Sequence, residues 1–252
     1  MIQYERSQQI LEALREAEGQ ERLMTLQELQ EKLRTSRSTV RRDLNTLANE
    51  GEIVLLRGGG VKLKTGSHET PYNSRKLINI HEKEKIARYA ANLVKDGETI
   101  YLDAGTTVNC MCKYLKNKHI TIVTTSASIT KEMQEPTIKC IIVGGELLWT
   151  TESMVGPMTD QELSRLYFDK AFIGVSGFSA EAGFSTPDPR EARKKQIVRR
   201  NARETYVLAD STKSGKITMC KIFDLDEVKV ICDNLTPVLE ESENCILAVE
   251  TV

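Results

Sequence analysis

The segment 36–49 combines side chains that can contact both the phosphates and the base edges of DNA. Arg41 and Arg42 carry guanidinium groups suited to phosphate oxygens, while Ser38 and Asn45 carry a hydroxyl and an amide suited to base edges. At roughly 100° per residue these side chains share one arc of a helix, which predicts a recognition helix for a major groove. With a glycine-rich wing included, the candidate DNA contacts are Ser36, Arg37, Ser38, Thr39, Arg41, Arg42, Asn45, Arg57, Gly58 and Gly59.

A second group of small and polar residues follows four predicted strands later in the chain. Small residues allow close backbone approach, hydroxyls and amides donate to phosphate oxygens, and Lys213 adds a full positive charge. Each loop alone is also typical of ordinary turn or capping chemistry, but the carboxyl ends of parallel strands meet at one edge. The sequence therefore predicts a phosphate site formed by Asp103, Gly105, Thr106, Thr107, Thr125, Ser126, Gly144, Gly145 and Lys213.

The elements that position the first group resemble a winged helix-turn-helix in their order. A capping box at Thr25 and Glu28 starts a helix over 25–33, and a second helix runs over 36–49 with Val40, Leu44 and Leu47 on its buried side. Strand-like segments at 52–57 and 61–63 flank three glycines and predict a β-hairpin wing. A purely structural helix pair is the alternative, and this ordered set of features disfavours it.

The later part of the chain alternates between predicted strands and helices, which is typical of a mostly parallel sheet. Helices are expected at 81–95, 106–116 and 126–135, and strands at 99–103, 120–124, 138–143, 171–175, 205–209 and 228–232. A turn-rich stretch separates the two parts. We therefore expect a DNA-binding domain at 1–63, a linker at 64–75 and an α/β domain at 76–252, to which the resemblance described below assigns sensing and oligomerisation.

Composition excludes several classes of protein. The formal net charge of −1 is not that of a general polyanion binder, so DNA contacts must come from locally clustered arginines. Six cysteines without a Cys-x-x-Cys pair and three scattered histidines give no metal-ligand spacing, and no apolar run or secretory leader is apparent. These features predict a reduced, cytoplasmic chain with no metal, no cofactor and no membrane contact.

The motifs resemble the DeoR-type family of bacterial sugar-metabolism repressors along nearly the whole chain. Residues 36–44 read Ser-Arg-Ser-Thr-Val-Arg-Arg-Asp-Leu, residues 57–60 read Arg-Gly-Gly-Gly, and 103–107 read Asp-Ala-Gly-Thr-Thr. Further matches are Glu69 to Tyr72, Arg75, Glu84 to Ala87, Gly144 with Gly145, and Asp210 to Lys213. The resemblance implies an α/β sensor domain similar to the ribose-5-phosphate isomerase fold, in which Asp103, Gly105, Thr106, Thr107, Gly144, Gly145 and Lys213 bind a phosphorylated sugar.

The chain departs from the family pattern at two positions. Thr125 stands where the family commonly has Asn, and Cys232-Asp233 stands where Thr-Asp is usual. Threonine lacks the amide, which puts the sugar-recognition hydrogen bonds of relatives in doubt at that point.

These observations predict a non-enzymatic transcriptional regulator that represses a sugar-utilisation operon and responds to a phosphorylated sugar. A single winged helix makes few contacts, so we expect a homodimer or homotetramer on half-sites roughly 34 Å apart. The alternative is a sugar-phosphate isomerase-like enzyme with an appended DNA-binding domain, using Asp103 and Lys213 as acid and base. A scaffold with vestigial DNA-binding helices is a third possibility.

Two further features lie outside these two groups of residues. The basic run 190–203 is expected to be a solvated helix face, with a subunit contact as an option, and Trp149 is either a wall of the ligand pocket or a packing residue.

Overall fold

The computed structural model describes residues 3–19, 22–49, 52–56, 59–63, 72–76, 78–133, 135–240 and 242–249. The chain divides into two compact units, Met1–Arg75 and Lys76–Val252. Of the predicted linker 64–75, the described residues 72–75 are helical, and residues 64–71 lie outside the described part. The second unit begins at the position where the sequence predicts the sensing domain.

The first unit consists of helices packed against a small antiparallel sheet. Its elements are α1 (Gln3–Gly19), β1 (Met24–Thr25), α2 (Leu26–Leu33), α3 (Arg37–Asn49), β2 (Ile53–Leu55) and β3 (Gly60–Leu63), and the strands lie in the order β1-β3-β2. The predicted capping box is present: Glu28 N donates to Thr25 Oγ1 (3.2 Å) and Thr25 N donates to Glu28 Oε2 (2.7 Å). This arrangement confirms the winged helix-turn-helix.

A single apolar cluster holds the first unit together. Val40, Leu44 and Leu47 of α3 pack with Leu29 of α2 and Ile10 of α1, and all five are buried. The spacing of the α3 residues places them on one side of the helix, so burying that side leaves the opposite arc of α3 in solvent.

The second unit contains the remaining helices and strands of the described residues. The division between the units falls within α4 (Tyr72–Lys76), whose last residue alone belongs to the second unit. The helices that follow are α5 (Ile80–Asn92), α6 (Thr106–Asn109), α7 (Ile129–Glu132), α8 (Pro157–Leu163) and α9 (Pro189–Asn201). The strands are β4 (Thr99–Leu102), β5 (Thr121–Thr124), β6 (Lys139–Ile142), β7 (Glu146–Leu148), β8 (Ser153–Val155), β9 (Phe168–Gly174), β10 (Gly177–Ser179), β11 (Gly183–Thr186), β12 (Ala202–Leu208), β13 (Cys220–Phe223), β14 (Lys229–Cys232) and β15 (Cys245–Leu247).

Seven of these strands form one sheet in the order β15-β14-β12-β9-β4-β5-β6, and every neighbouring pair is parallel. The sheet is buried on both faces. One face packs on a cluster that includes Ile86 and Met111, and the other on a cluster that includes Leu163, Val198 and Phe184. The predicted parallel α/β sheet is confirmed, and its near-continuous apolar strands are explained by this double cover.

Two smaller antiparallel sheets accompany the large one. Strands β10, β11 and β13 form one of them, and β7 and β8 form a hairpin. Ser126 makes an isolated bridge with Ser153, so the chain that leaves β5 is tied to β8 before it can become helical. The predicted helix 126–135 is therefore wrong over most of its length, because only Ile129–Glu132 is α-helical.

The predicted helix 106–116 is also shorter than expected. It is α-helical over Thr106–Asn109 and continues as a 3₁₀ turn over Cys110–Tyr114. Its apolar stripe behaves as predicted, since Val108, Met111, Cys112 and Leu115 are all buried.

Candidate functional site

The exposed arc of α3 carries most of the predicted DNA contacts. Arg37, Ser38, Arg41, Arg42 and Asn45 are exposed, together with Ser36 just before the helix, and Thr39 is half-buried. None of the described residues forms an ion pair with the three arginines, so their guanidinium groups face solvent. The arc is a cationic surface with hydroxyl and amide groups between the charges, which suits both phosphates and base edges.

Ser36 has a local role that its sequence position also explains. Its Oγ accepts a hydrogen bond from Thr39 N (3.2 Å) and lies 2.8 Å from Thr39 Oγ1 and 2.9 Å from Ser38 Oγ. This is the geometry of an N-terminal helix cap. Ser36 therefore orients the start of α3, where Ser38 stands.

The predicted wing is only partly described. Arg57 and Gly58 lie outside the described residues, and Gly59 is exposed with φ +89°. Leu56 N donates to Gly60 O (2.8 Å), which closes the hairpin between β2 and β3. The positive φ at Gly59 requires glycine or a strained side chain.

A buried ion pair beneath α3 was missed by the sequence reasoning. Asp43 is fully buried and accepts two hydrogen bonds from Arg6 of α1, from Nε at 2.7 Å and from Nη2 at 3.2 Å. The signal was available, because Asp43 stands at helical spacing with Val40, Leu44 and Leu47 on the buried side. The pair fixes the recognition helix to α1.

The predicted effector residues lie at the carboxyl edge of the parallel sheet, as the common strand direction requires. Asp103 follows β4, Thr125 and Ser126 follow β5, Gly144 and Gly145 follow β6, and Asp210 begins the turn that contains Lys213 after β12. Contacts along this edge are close: Gly174 N donates to Asp103 Oδ2 (3.1 Å), and Lys213 Nζ donates to Val175 O (2.7 Å).

Asp103 is held by a buried cluster of charges that the sequence reasoning missed. Lys195 Nζ lies 2.5 Å from Asp103 Oδ2 and 3.2 Å from Glu191 Oε2, and Lys194 Nζ lies 3.1 Å from Glu191 Oε2. Thr151 Oγ1 donates to Glu191 Oε1 (3.0 Å). All four charged side chains are at least nine-tenths buried, and two ammonium groups balance two carboxylates.

The electrostatics of this cluster favour its charged form. Burial opposes ionisation of Glu191, but Lys194 and Lys195 outweigh it and hold the pKa of Glu191 below its ordinary value. Burial likewise opposes charging of Lys195, and Asp103 with Glu191 raises the pKa of Lys195 above its ordinary value. The cluster is therefore a neutral set of charges within the protein interior.

The cluster corrects the expectation for the basic run 190–203. Lys194 and Lys195 are buried, so this run is not simply a solvated helix face. The buried carboxylate of Glu191, three and four residues earlier on the same helix, balances their charge. Its arginines do face outward: Arg190, Arg193 and Arg200 line an open groove of about 770 Å³ between α8 and α9. Glu146 and Asp160 pair with Arg190 and Arg193 across this groove.

Trp149 has neither of its two expected roles, as a wall of the ligand pocket or as a packing residue. It stands just after β7 with 80% of its surface exposed, so it neither packs in the interior nor forms a wall of an enclosed pocket.

Close backbone contact explains the glycine that follows Asp103. A Cβ atom on Gly105 would stand 3.3 Å from Gly174 Cα, so the loop after β4 approaches the end of β9 at backbone distance. The next residues, Thr106 and Thr107, are buried. Within the described part of the chain, Thr107 Oγ1 and Asn109 Oδ1 are buried with no hydrogen-bond partner. Buried polar atoms without a partner are costly, so these two atoms distinguish the loop from the rest of the sheet edge.

Thr125 and Ser126 are covered by the β7–β8 hairpin. Met154 N donates to Thr125 O (2.8 Å), and Thr125 Oγ1 lies 2.9 Å from Tyr101 OH. Ser126 Oγ lies 2.8 Å from Ser128 Oγ. The hydroxyls of both predicted effector residues are thus already engaged within the protein.

The two adjacent glycines after β6 differ in their surroundings. A Cβ atom on Gly145 would stand 2.0 Å from Thr159 Oγ1 and 2.8 Å from Val155 O, whereas one on Gly144 would meet nothing within 4 Å. Thr159 Oγ1 donates to Gly144 O (2.8 Å), which connects this loop to α8. Gly145 therefore serves packing, and Gly144 leaves its backbone open.

The loop after β12 has its own polar network. Asn79 Nδ2 donates to Asp210 Oδ1 and to Thr212 Oγ1, each at 3.1 Å. Burial opposes ionisation of Asp210, but the charge of Lys213, the Thr212 hydrogen bond and the charge of Lys83 lower its pKa overall. Lys83 of α5 is buried and is a further residue that the sequence reasoning missed.

Other chemistries find no support in the described residues. The described residues contain no group of three or more potential metal ligands. None of the helices that they form has the length and apolar character needed to cross a bilayer. All six cysteines are free thiols, and burial raises the pKa of Cys112 to about 12. His81 and His119 are exposed, as expected, and His68 lies outside the described residues.

Comparison with known proteins assigns both units to one family. Residues 6–65 match the model of the DeoR-like helix-turn-helix domain, and residues 78–234 match that of the DeoR C terminal sensor domain. The HTH-type transcriptional regulator FruR of Bacillus subtilis is 34% identical over 92% of this chain and 91% of its own. The glycerol-3-phosphate regulon repressor of Escherichia coli is 30% identical over 94% of this chain and 93% of its own.

Among solved structures, ribose 5-phosphate isomerase A of Methanocaldococcus jannaschii matches with 24% identity and a TM-score of 0.39, covering 54% of this chain and 55% of that one. A TM-score this low carries no weight for the fold or for a reaction. The two domain matches and the full-length relatives do carry weight, and by them the chain belongs to the DeoR family of helix-turn-helix transcriptional regulators.

Proposed function

We propose that this protein is a cytoplasmic repressor of a sugar-utilisation operon whose affinity for its operator is set by a phosphorylated sugar. The observation that carries the proposal is the exposed cationic arc of α3, opposite a fully buried apolar side, in a winged helix-turn-helix. The Escherichia coli relative adds support, since it is named for the regulon of a phosphorylated polyol. The repressor acts as a homodimer or homotetramer on paired half-sites.

In this proposal the residues of α3 and of the wing have two tasks. Arg41, Arg42 and the wing residue Arg57 bind phosphates and give affinity, while Ser38, Asn45 and Arg37 set the register against base edges. Ser36 and Thr39 hold the start of the helix in place, and Gly58 with Gly59 lets the wing approach the backbone. Both tasks need a duplex, so single strands are poor ligands.

DNA binding is tested by titrating a duplex that carries the operator at several salt concentrations. Replacing Arg41 with Ala should flatten the slope of log K against log salt by about one unit if the guanidinium meets a phosphate. If Arg41 instead reads a guanine, the loss is confined to one base pair. Arg165→Ala is the matched control, because Arg165 is an exposed arginine of the other unit. Unchanged binding by the Arg41 variant would contradict its place in the interface.

The second unit is proposed to bind the effector at the carboxyl edge of its sheet. Thr107 Oγ1 and Asn109 Oδ1 are buried without partners, Asp103 carries a fixed carboxylate, and Lys213 brings a positive charge to the neighbouring loop. Gly105, Thr106, Gly144 and Gly145 contribute backbone groups, while Thr125 and Ser126 act through the hydrogen bonds that shape the edge. A phosphorylated sugar, which carries both a phosphate and hydroxyl groups, fits this set of donors and acceptors.

The effector is identified by a thermal-shift screen of phosphorylated sugars combined with release of operator DNA. Thr107→Val keeps the shape of the side chain but removes the unpaired hydroxyl, so stability without the effector should be unchanged or higher while the response to the effector falls. Lys213→Ala should likewise keep operator binding and lose the response. A coupling of about 1–3 kcal/mol would change operator affinity roughly 5–150-fold. Turnover of a pentose or hexose phosphate by the purified protein would favour an enzyme instead.

A further inference from the structure

Strand β6 forms an uncovered edge of the seven-stranded sheet. Lys139 N donates to Ile120 O and Val143 N to Thr124 O, so alternate residues of the strand face β5. The main-chain groups of Cys140 and Ile142 therefore point away from β5. Among the described residues no other strand pairs with β6. Two N–H and two C=O groups are thus available on this edge.

The side chains of this edge are unusually apolar for a solvent-exposed strand. Ile142 has 50% of its surface exposed, Cys140 and Ile141 are half-buried, and Lys139 is the single charged residue of the strand. Natural edge strands are normally protected by charges, proline or a cover, and β6 has one lysine at its first position. An apolar edge with free main-chain groups calls for a covering strand.

We propose that β6 pairs with β6 of a second copy of this chain, antiparallel and with the two-fold axis at Ile141. In this register Cys140 lies opposite the partner's Ile142, so the outward N–H and C=O groups of both residues are exchanged reciprocally. The two symmetry-related pairs give four main-chain hydrogen bonds. A two-fold axis makes the edge its own complement, so a second copy of this chain supplies the matching strand.

Charge favours this register over the one centred on Lys139. With the axis at Ile141, the two Lys139 residues are offset by four residues, about 14 Å along the strands. A register centred on Lys139 would place two ammonium groups directly opposite each other, which is destabilising. The self-paired sheet therefore keeps its only charges at the two ends of the interface strand.

The hairpin that follows β6 supplies the remaining interface area. Four paired residues on each side bury less than the roughly 1,200 Å² of total surface that specific interfaces reach. Leu147 and Leu148 are half-buried and Trp149 is exposed on the hairpin that follows the carboxyl end of β6. The two-fold axis brings this hairpin to the amino end of the partner's β6. Exposure of Trp149 is explained if the partner covers it.

This inference rests on the proposed homo-oligomeric state and is tested on the full chain by sedimentation over a range of concentrations. Ile142→Lys places a charge next to the two-fold axis, in a residue whose main chain pairs with the partner, and should weaken self-association about tenfold or more. Leu247→Lys is the matched control, because Leu247 is a half-exposed leucine on β15 at the opposite edge of the same sheet. Circular dichroism melts of both variants establish that they are folded.

A cross-linking variant decides the register and remains informative if Ile142→Lys does not fold. Ile141→Cys, made together with Cys140→Ser, brings two sulfurs together at the axis, where facing Cα atoms of a non-hydrogen-bonded pair stand about 4.5 Å apart. Oxidation should give a covalent dimer in high yield, whereas Met158→Cys at another exposed site in the same Cys140→Ser background should not.

The possible outcomes distinguish failure of the proposed β6 interface from failure of the proposed oligomerisation. A wild-type oligomer that survives Ile142→Lys and gives no Ile141 cross-link overturns the β6 interface and leaves oligomerisation standing. Dissociation by Leu247→Lys and not by Ile142→Lys assigns the interface to β15 and also overturns it. A wild-type chain that is monomeric at every concentration, with or without operator DNA, overturns both proposals.

Discussion

Lys195 Nζ lies 2.5 Å from Asp103 Oδ2, and this contact joins helix α9 to the loop that follows β4. Asp103 is fully buried, and 93% of the Lys195 side chain is removed from solvent. Glu191 and Lys194 complete a neutral set of four charges. Because Asp103 stands in the proposed effector site, α9 determines how its carboxylate is presented there.

Replacing Lys195 with Met should destabilise the second unit by about 3–5 kcal/mol, because a buried carboxylate loses its counter-charge. Urea unfolding followed by circular dichroism measures the change. Arg193→Met is the control on the same helix: its side chain is 72% exposed, so loss of its pair with Asp160 should cost within about 1 kcal/mol. Equal costs for the two variants would contradict the importance of burial.

The same cluster predicts how stability depends on pH. The pKa of Glu191 is lowered from its ordinary 4.5, so its stabilising effect is full above that pH and is lost as the pH falls below it. The pKa of Lys195 is raised from its ordinary 10.5, so its effect is full below that pH and is lost as the pH rises through the folded value. The melting temperature of the second unit should therefore be highest between these limits.

Glu191→Gln isolates the acid limb of this profile. The amide keeps an acceptor for Thr151 but cannot titrate, so the variant should be less stable at neutral pH and lose less stability on acidification. Melting curves from about pH 3 to pH 7 measure the difference in slope. A variant with the wild-type slope would show that other carboxylates control the acid transition.

Much of the fold followed from local patterns, and the buried charges did not. The capping box at Thr25 and the spacing of Val40, Leu44 and Leu47 report contacts within a helix, so the winged helix-turn-helix was predictable. Lys195 meets Asp103 across 92 residues of sequence, and only the tertiary structure brings them together. A run of basic residues looks solvated until the carboxylates that face it are known.

The β7–β8 hairpin shows the same limit at the candidate site. The edge to which Thr125 and Ser126 belong was predictable from strand order, because all seven strands are parallel. That the hairpin covers them depends on the bridge between Ser126 and Ser153, which no local pattern records. Asp43 is the intermediate case, since helical spacing placed it on the buried side but could not name Arg6.

Asp43→Ala should lower both the stability of the first unit and its affinity for DNA, although Asp43 contacts no solvent. Removing the carboxylate takes away the bidentate acceptor of Arg6 and leaves only apolar packing between α3 and α1. Thermal melting of the first unit and duplex titration measure the two effects together. Asn45→Ala is the contrasting variant: its side chain is exposed, so DNA affinity should fall while the melting temperature stays the same. Loss of DNA affinity by Asp43→Ala at an unchanged melting temperature would contradict the structural role.

Gly145→Ala and Gly144→Ala should differ sharply although they are neighbours. At Gly145 a methyl group would overlap Thr159 Oγ1 and press on Val155 O, and φ is +154°, so the loop after β6 and the start of α8 must shift. The cost should be about 1–3 kcal/mol, as for other overpacked sites, while Gly144→Ala meets no atom within 4 Å and should be nearly neutral in stability. Chemical denaturation of the two variants measures the difference. Because Gly144 lies in the proposed effector site, its variant should show a weaker response to the effector at full stability, and a normal response would remove Gly144 from that site.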